Sequence, residues 1–359
     1  MTKWQLYTTN ESGWEAMLLA CEKAKKSIDL EQFIFIRNDI GEKFIKICAK
    51  KTKEGVKVRF LWDAVGSFSF FGSSTVDELK EKDIELMFFK TFFPSFYEFH
   101  NYKSWYFRNH RRTLVIDEKV AFTGSTCLSD KMKYWRDTIV RVEGDVVEEM
   151  QNAFERMWYR AQRKKIPQEF QGLKAEGNRE FKYVTNNPIP GKRHLYRNII
   201  KAIREAHEYV YITTPYFVPT RQLYKLLRKS AENGIRVKII IPESTDHPIV
   251  DLCARTFFSK LLSSGVKIYL YRGEMVHSKT IIIDGKWSSI GTLNMDTISL
   301  LHNFEANLIT TNRDFAEELL THFIDDLHKS KEITLLEWKS RYWLEKFTGI
   351  FVRLVRDFL

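Results

Sequence analysis

Two short strings in this chain bring together the residue types that phosphoryl chemistry needs. One is His277-Ser278-Lys279-Thr280-Ile281-Ile282-Ile283-Asp284, an H-x-K-x-x-x-x-D string. Side chains alternate along a strand, so the imidazole of His277 and the ammonium of Lys279 share one face. Histidine exchanges protons near neutral pH, and a lysine beside it can hold anionic oxygens. The other string is His110-Arg111-Arg112-Thr113-Leu114-Val115-Ile116-Asp117, in which Arg112 keeps the charge. Each histidine is followed after 7 residues by an aspartate (Asp117, Asp284) and after 14 by a glycine (Gly124, Gly291). At offset 17 stand Cys127 and Asn294. One such string can be chance. Two in the same downstream register are a strong signal.

A phosphodiester resists attack because its non-bridging oxygens repel nucleophiles and its alkoxide leaving group is poor. A site must neutralise those oxygens, supply a nucleophile and protonate the leaving oxygen. If two halves of the chain pack face to face, His110 and His277 can flank one phosphorus and share the last two tasks. Lys279 and Arg112 would clamp the oxygens, with Asn294 adding an amide donor. The side chains already carry the positive charge, so no metal and no other cofactor is called for. Asp117 and Asp284 complete the catalytic strings, and their place before a turn suits them to tying down the strand end.

The elements that must position these residues also come in two copies. Residues 13–26 read as a helix, 27–36 as a strand, 39–53 as a second helix capped by Asp39, and 56–62 as a strand after Gly55. In the second half 195–207 and 221–232 read as helices, and 208–213 and 235–241 as strands. Alternating helices and strands indicate a parallel α/β layer. The expected class is α/β, with two domains related by internal duplication and the site at their interface. The first domain spans 1–165, a charged linker 163–182, the second domain 183–335 and a C-terminal amphipathic helix 336–359.

Two stretches lie outside this repeat. Residues 66–107 crowd aromatic residues with no clean period, and read either as a packed insert or as a loop dipping into lipid. In the tail, Trp343, Phe347, Ile350, Phe351, Leu354 and Phe358 make one helical stripe with Lys346, Arg353 and Arg356 off it. That pattern suits a helix lying on an anionic bilayer. The 359 residues carry a net charge of +11, which points to an anionic partner. The four cysteines form no C-x-x-C pair, and the polar start lacks a signal peptide's apolar core. No run reaches the ~18 apolar residues of a membrane-spanning helix.

From about Ser27 to the mid-330s the chain resembles the phospholipase D superfamily, and within it the bacterial cardiolipin synthases. The resemblance rests on His277, Lys279, Asp284 and the GTLN of 291–294, with NHRRTLVID, VAFTG and WRDTIVRVEG in the first half. It departs from the family pattern at Arg112, where lysine is usual, and at Cys127, where asparagine is. The resemblance implies a phosphatidyltransferase that holds a phosphatidyl group on one histidine while the other acts as acid and then base. It also implies acidic residues that orient the imidazoles: Asp137 and Glu305, 27 and 28 residues after His110 and His277. The nucleophile stays open, with the intact second string favouring His277. The implied partner is phosphatidylglycerol in an anionic membrane surface, approached peripherally from the cytoplasmic face of a bacterial membrane. A phospholipase D using water shares every one of these residues. A nuclease is the alternative on charge alone, and the aromatic insert and tail speak against nucleic acid. A third reading is a lipid-binding protein with a worn first string.

Overall fold

The computed structural model describes residues 2–70, 73–89, 107–171 and 179–340. The first half forms a seven-stranded sheet: β1 (Lys3–Thr9), β2 (Ser27–Gln32), β3 (Lys57–Asp63), β4 (Ile84–Phe89), β5 (Thr113–Ile116), β6 (Val120–Gly124) and β7 (Arg136–Glu143). Its spatial order is β1-β7-β6-β5-β2-β3-β4. The second half contributes β8 (Phe181–Asn186), β9 (Tyr209–Thr213), β10 (Phe217–Val218), β11 (Arg236–Pro242), β12 (Lys267–Tyr271), β13 (Thr280–Ile283), β14 (Trp287–Gly291), β15 (Met295–Asp296), β16 (Glu305–Thr310) and β17 (Ser330–Ile333). Eight of these form a sheet in the order β17-β12-β11-β9-β13-β14-β16-β8, and β10 pairs with β15 separately.

Read from opposite edges, the two orders match strand for strand. β1, β7, β6, β5, β2, β3 and β4 correspond to β8, β16, β14, β13, β9, β11 and β12. The α/β class and the duplication expected from the strings are therefore present. The expected parallel layer is only part of each sheet. β2-β3-β4 and β9-β11-β12 run parallel, whereas the histidine-proximal strands β5 and β13 are antiparallel to their neighbours. The cause is connection length. β5 turns into β6 through Asp117 and Glu118, and β13 into β14 through Asp284 and Gly285, all four at positive φ. Turns this short make hairpins and cannot make parallel crossovers.

Several boundaries shift. The first helix covers Asn10–Glu22, β2 ends at Gln32, and the helix Asp39–Lys53 is capped by Asn38 in place of Asp39. Within the aromatic stretch, Ser74–Glu81 is helical and Ile84–Phe89 is β4, an integral strand of the sheet. Its Phe70 and Phe89 are buried. The remainder of that stretch between 90 and 106, and the expected amphipathic helix beyond 340, lie outside the described residues.

The halves are joined by a shared apolar core. Val115, Ala121, Val140 and Val142 from the first sheet pack with Tyr183, Ala306 and Leu308 from the second and with Phe315 on the helix Arg313–His328. The valine, leucine and phenylalanine side chains among them contribute roughly 1.5–3 kcal/mol each on full burial. Trp4 on β1 stacks near Phe181 and Phe315 and donates from Nε1 to Glu318, fastening the chain start to the second half. The repeated glycines have a packing reason. A Cβ on Gly291 would lie 2.4 Å from the Ala306 carbonyl oxygen, and one on Gly124 2.4 Å from that of Thr138. Only glycine lets β14 and β6 approach their neighbours at those points.

Candidate active site

The stretches leading into β5 and β13 each run beside a strand of the opposite half. The His110 N–H donates to the Phe304 carbonyl at 2.9 Å, and the His277 N–H to the Arg136 carbonyl at 2.7 Å. Phe304 and Arg136 immediately precede Glu305 and Asp137. Strand alternation then delivers each carboxylate to an imidazole. His110 Nδ1 lies 2.8 Å from Glu305, and His277 Nδ1 lies 3.0 Å from Asp137. Spacing along the sequence had assigned each acid to the histidine of its own half, and the fold exchanges them. Both acids are buried, and neither histidine is complete without the other half.

The other ring nitrogens face cations. Arg112 Nη2 stands 2.9 Å from His110 Nε2, and Lys279 Nζ 3.0 Å from His277 Nε2. A guanidinium only donates, so His110 Nε2 must present a lone pair and its proton must sit on Nδ1, toward Glu305. At His277 the Asp137 carboxylate only accepts, so the ring proton sits on Nδ1 and Nε2 turns its lone pair toward Lys279. Burial lowers the pKa of both imidazoles, and the neighbouring cations add to it. His110 falls well below the ordinary histidine range, and His277 falls to about 4. Burial, reinforced by Arg112, brings Lys279 down to about 7. The carboxylates diverge. Burial pushes Glu305 well above the usual carboxylate range. Asp137 is equally buried but ends below that range, because burial is outweighed by His277, Lys279 and Ser125.

The two departures from the family pattern touch each other. Arg112 Nε donates to Cys127 Sγ at 3.0 Å, so the longer cation is met by the residue in the asparagine position. Asn294 lies buried in the second copy with its Nδ2 donating to Ser299 Oγ at 3.3 Å. Asp117 and Asp284 lie at the far ends of β5 and β13 from the histidines, at the turns that follow. Asp117 accepts the N–H groups of Lys25, Lys26 and Ser27, and Asp284 those of His207, Glu208 and Tyr209. Each pins the hairpin turn to the start of the neighbouring antiparallel strand, β2 or β9.

Sequence reasoning missed several neighbours. Ser125 and Thr292, both 15 residues after their histidines, donate to Asp137 and Glu305. A hydroxyl following each repeated glycine was the available signal. The Phe33 ring meets the His110 ring edge to face at 4.8 Å, and Trp135 lies 5.4 Å from His277. Neither aromatic stands at a matching offset, so no signal in the repeat marked them.

Residues 18–158 and 199–327 match the family of the cardiolipin synthase, PLD-like domain. The chain belongs to this phospholipase D-like family. The cardiolipin synthase of Oceanobacillus iheyensis is 33% identical over 99% of this chain and 74% of its own length. That of Clostridium perfringens strain SM101 is 32% identical over 98% of this chain and 75% of its own. Among solved structures, the phosphatidylserine synthase of Haemophilus influenzae superposes with a TM-score of 0.77 at 14% identity. It covers 99% of this chain and 95% of its own. A polyphosphate kinase from Porphyromonas gingivalis reaches 0.66 at 12% identity, over 94% of this chain and 49% of its own. At these identities both structures speak to the fold alone. Among the described residues no helix is long and apolar enough to cross a membrane.

Proposed function

We propose that this phospholipase D-type phosphatidyltransferase makes cardiolipin through a phosphohistidine on His110. The observation that carries the reading is the pair of crossed imidazole–carboxylate dyads, each facing a cation through Nε2. Arg112 and Lys279 would hold the non-bridging oxygens of a phosphatidylglycerol phosphodiester. The bound anion offsets the cations that depress both imidazoles.

The dyads divide the work. Asp137 is held below the usual carboxylate range, so it can stabilise an imidazolium on His277, whereas burial raises the carboxyl of Glu305 and makes it the poorer counter-ion. His277 is therefore the acid and His110 the nucleophile, the reverse of what the intact second string favoured. His110 Nε2 attacks phosphorus, the bond to the glycerol oxygen breaks, and that oxygen takes the proton from His277. A hydroxyl of a second phosphatidylglycerol then gives its proton to His277 and attacks phosphorus, and the P–N bond breaks. The net charge of +11 suits a peripheral enzyme on the anionic cytoplasmic face of a bacterial membrane. Asn294 would support the second half of the phosphate site from behind.

The test is incubation with phosphatidylglycerol vesicles and mass analysis of products. Wild type should release glycerol and form cardiolipin, and His277→Ala should form neither. Products of hydrolysis alone would favour a phospholipase D. A phosphatidyl ester with a nitrophenol leaving group needs no acid, so His277→Ala should still trap an adduct and His110→Ala should not. The opposite pattern would exchange the two roles.

A further inference from the structure

Strand alternation that aims His110, Arg112 and Glu305 at one side sends Arg111 and Phe304 to the other. There Arg111 is only 2% exposed. Its Nη1 reaches the carbonyl of Ala153 at 3.4 Å on the helix Val146–Ala161, and its Nη2 reaches Asn187 Oδ1 at 3.3 Å from the second half. Both contacts are long, and its Nε is buried with no partner. Arg156 and Arg160 lie one and two turns along the same face of that helix. Arg156 donates to the Phe170 carbonyl at 3.2 Å, and the Arg160 guanidinium lies over the Phe304 ring at 4.9 Å. Among the described residues none of the three forms an ion pair with a carboxylate.

The nearby acids are shared with other partners. Glu31 faces Arg111 but is fully buried, held by Asn109 and pushed above the usual carboxylate range. Glu149, also on the Arg156 face, is engaged by Arg179 and the Tyr183 N–H. Burial lowers both Arg156 and Arg160 to about 10, with repulsion from Arg111 adding at each and outweighing the Glu149 carboxylate at Arg156. Guanidiniums gathered this way favour the oxygens of a phosphate.

We propose that Arg111, Arg156 and Arg160 form a second phosphate-binding site, on the reverse side of the strand that carries His110, for a phosphodiester headgroup or free phosphate. Arg111 links the two sites, since it stands between the two residues of the first string that face the reaction.

The experiment is calorimetric titration of the full chain with glycerophosphoglycerol, a soluble phosphodiester headgroup, and separately with inorganic phosphate. Wild type should bind two equivalents of the diester. Arg156→Gln/Arg160→Gln should bind one, with the remaining affinity unchanged, and Arg160→Gln alone should weaken the second site about tenfold or more. Asn187→Asp sets a carboxylate beside Arg111 without shortening any arginine. It should also abolish the second site, which keeps the test sound if the double variant folds poorly. Inorganic phosphate filling both sites would identify free phosphate as a ligand. Phosphate confined to the site that Lys279→Met removes would identify the lipid headgroup. A single equivalent in wild type, or two equivalents surviving in both Arg156→Gln/Arg160→Gln and Asn187→Asp, would overturn the proposal.

Discussion

Replacing Asp137 by asparagine should be far more damaging than replacing Glu305 by glutamine, although the two acids occupy matching positions. The difference follows from what surrounds each oxygen. Asp137 Oδ1 accepts from Ser125 Oγ and from the Thr138 N–H at 2.7 Å, and Oδ2 faces His277 Nδ1. In Asp137→Asn the amide oxygen must stay with those two donors, which turns the NH2 toward His277. The ring can then only accept at Nδ1, so its proton moves to Nε2 and the lone pair facing Lys279 is lost. The negative charge that would stabilise an imidazolium is lost as well. A wrong tautomer of this kind lowers kcat by about 10⁴-fold, or roughly 5 kcal/mol at ~1.36 kcal/mol per decade. At Glu305 the partner of the second oxygen is Thr292 Oγ, which also lies 3.3 Å from the Ala306 carbonyl. A hydroxyl can donate to that carbonyl while accepting from an amide. Glutamine therefore keeps its oxygen toward His110 Nδ1, and it lacks only a charge that burial already disfavours at Glu305. Its loss should stay within about tenfold. Single-turnover rates on phosphatidylglycerol vesicles measure both, with thermal melting to confirm folding. Equal damage at the two positions, or near-normal turnover in Asp137→Asn, would refute the reasoning.

Two further outcomes are expected. Arg112→Lys/Cys127→Asn gives the first string the side chains of the second, and should keep activity within about threefold of wild type or raise it. A hundredfold loss would mean that the guanidinium's contact with both His110 and Cys127 is required. Acid should destabilise the fold through His277, whose pKa is about 4 when folded against an ordinary 6.5. Between those values the unfolded chain binds the extra proton, so this group's stability is intact above about pH 6.5 and is lost as pH falls toward 4. The contribution is on the order of 3 kcal/mol. His277→Gln should therefore show a shallower fall in denaturant midpoint from pH 6.5 to 4.5, and an unchanged fall would contradict it.

Local chemistry made much of this protein legible from its residues. The two histidine strings, with matched aspartates and glycines, announced both the duplication and the family, because each offset reports a contact inside one repeat. Gly124 and Gly291 close the approach of neighbouring strands, and Asp117 and Asp284 pin a turn to the strand beside it. Such relations lie inside one repeat and survive in spacing. What spacing could not reveal is the exchange of partners. Asp137 belongs to His277 and Glu305 to His110 because each histidine segment runs beside a strand of the other half, some 140 and 195 residues away. The opposite pKa shifts of two equally buried acids are likewise a tertiary outcome. They are set by how many donors and cations converge on each carboxylate, and that count exists only once the sheets have packed.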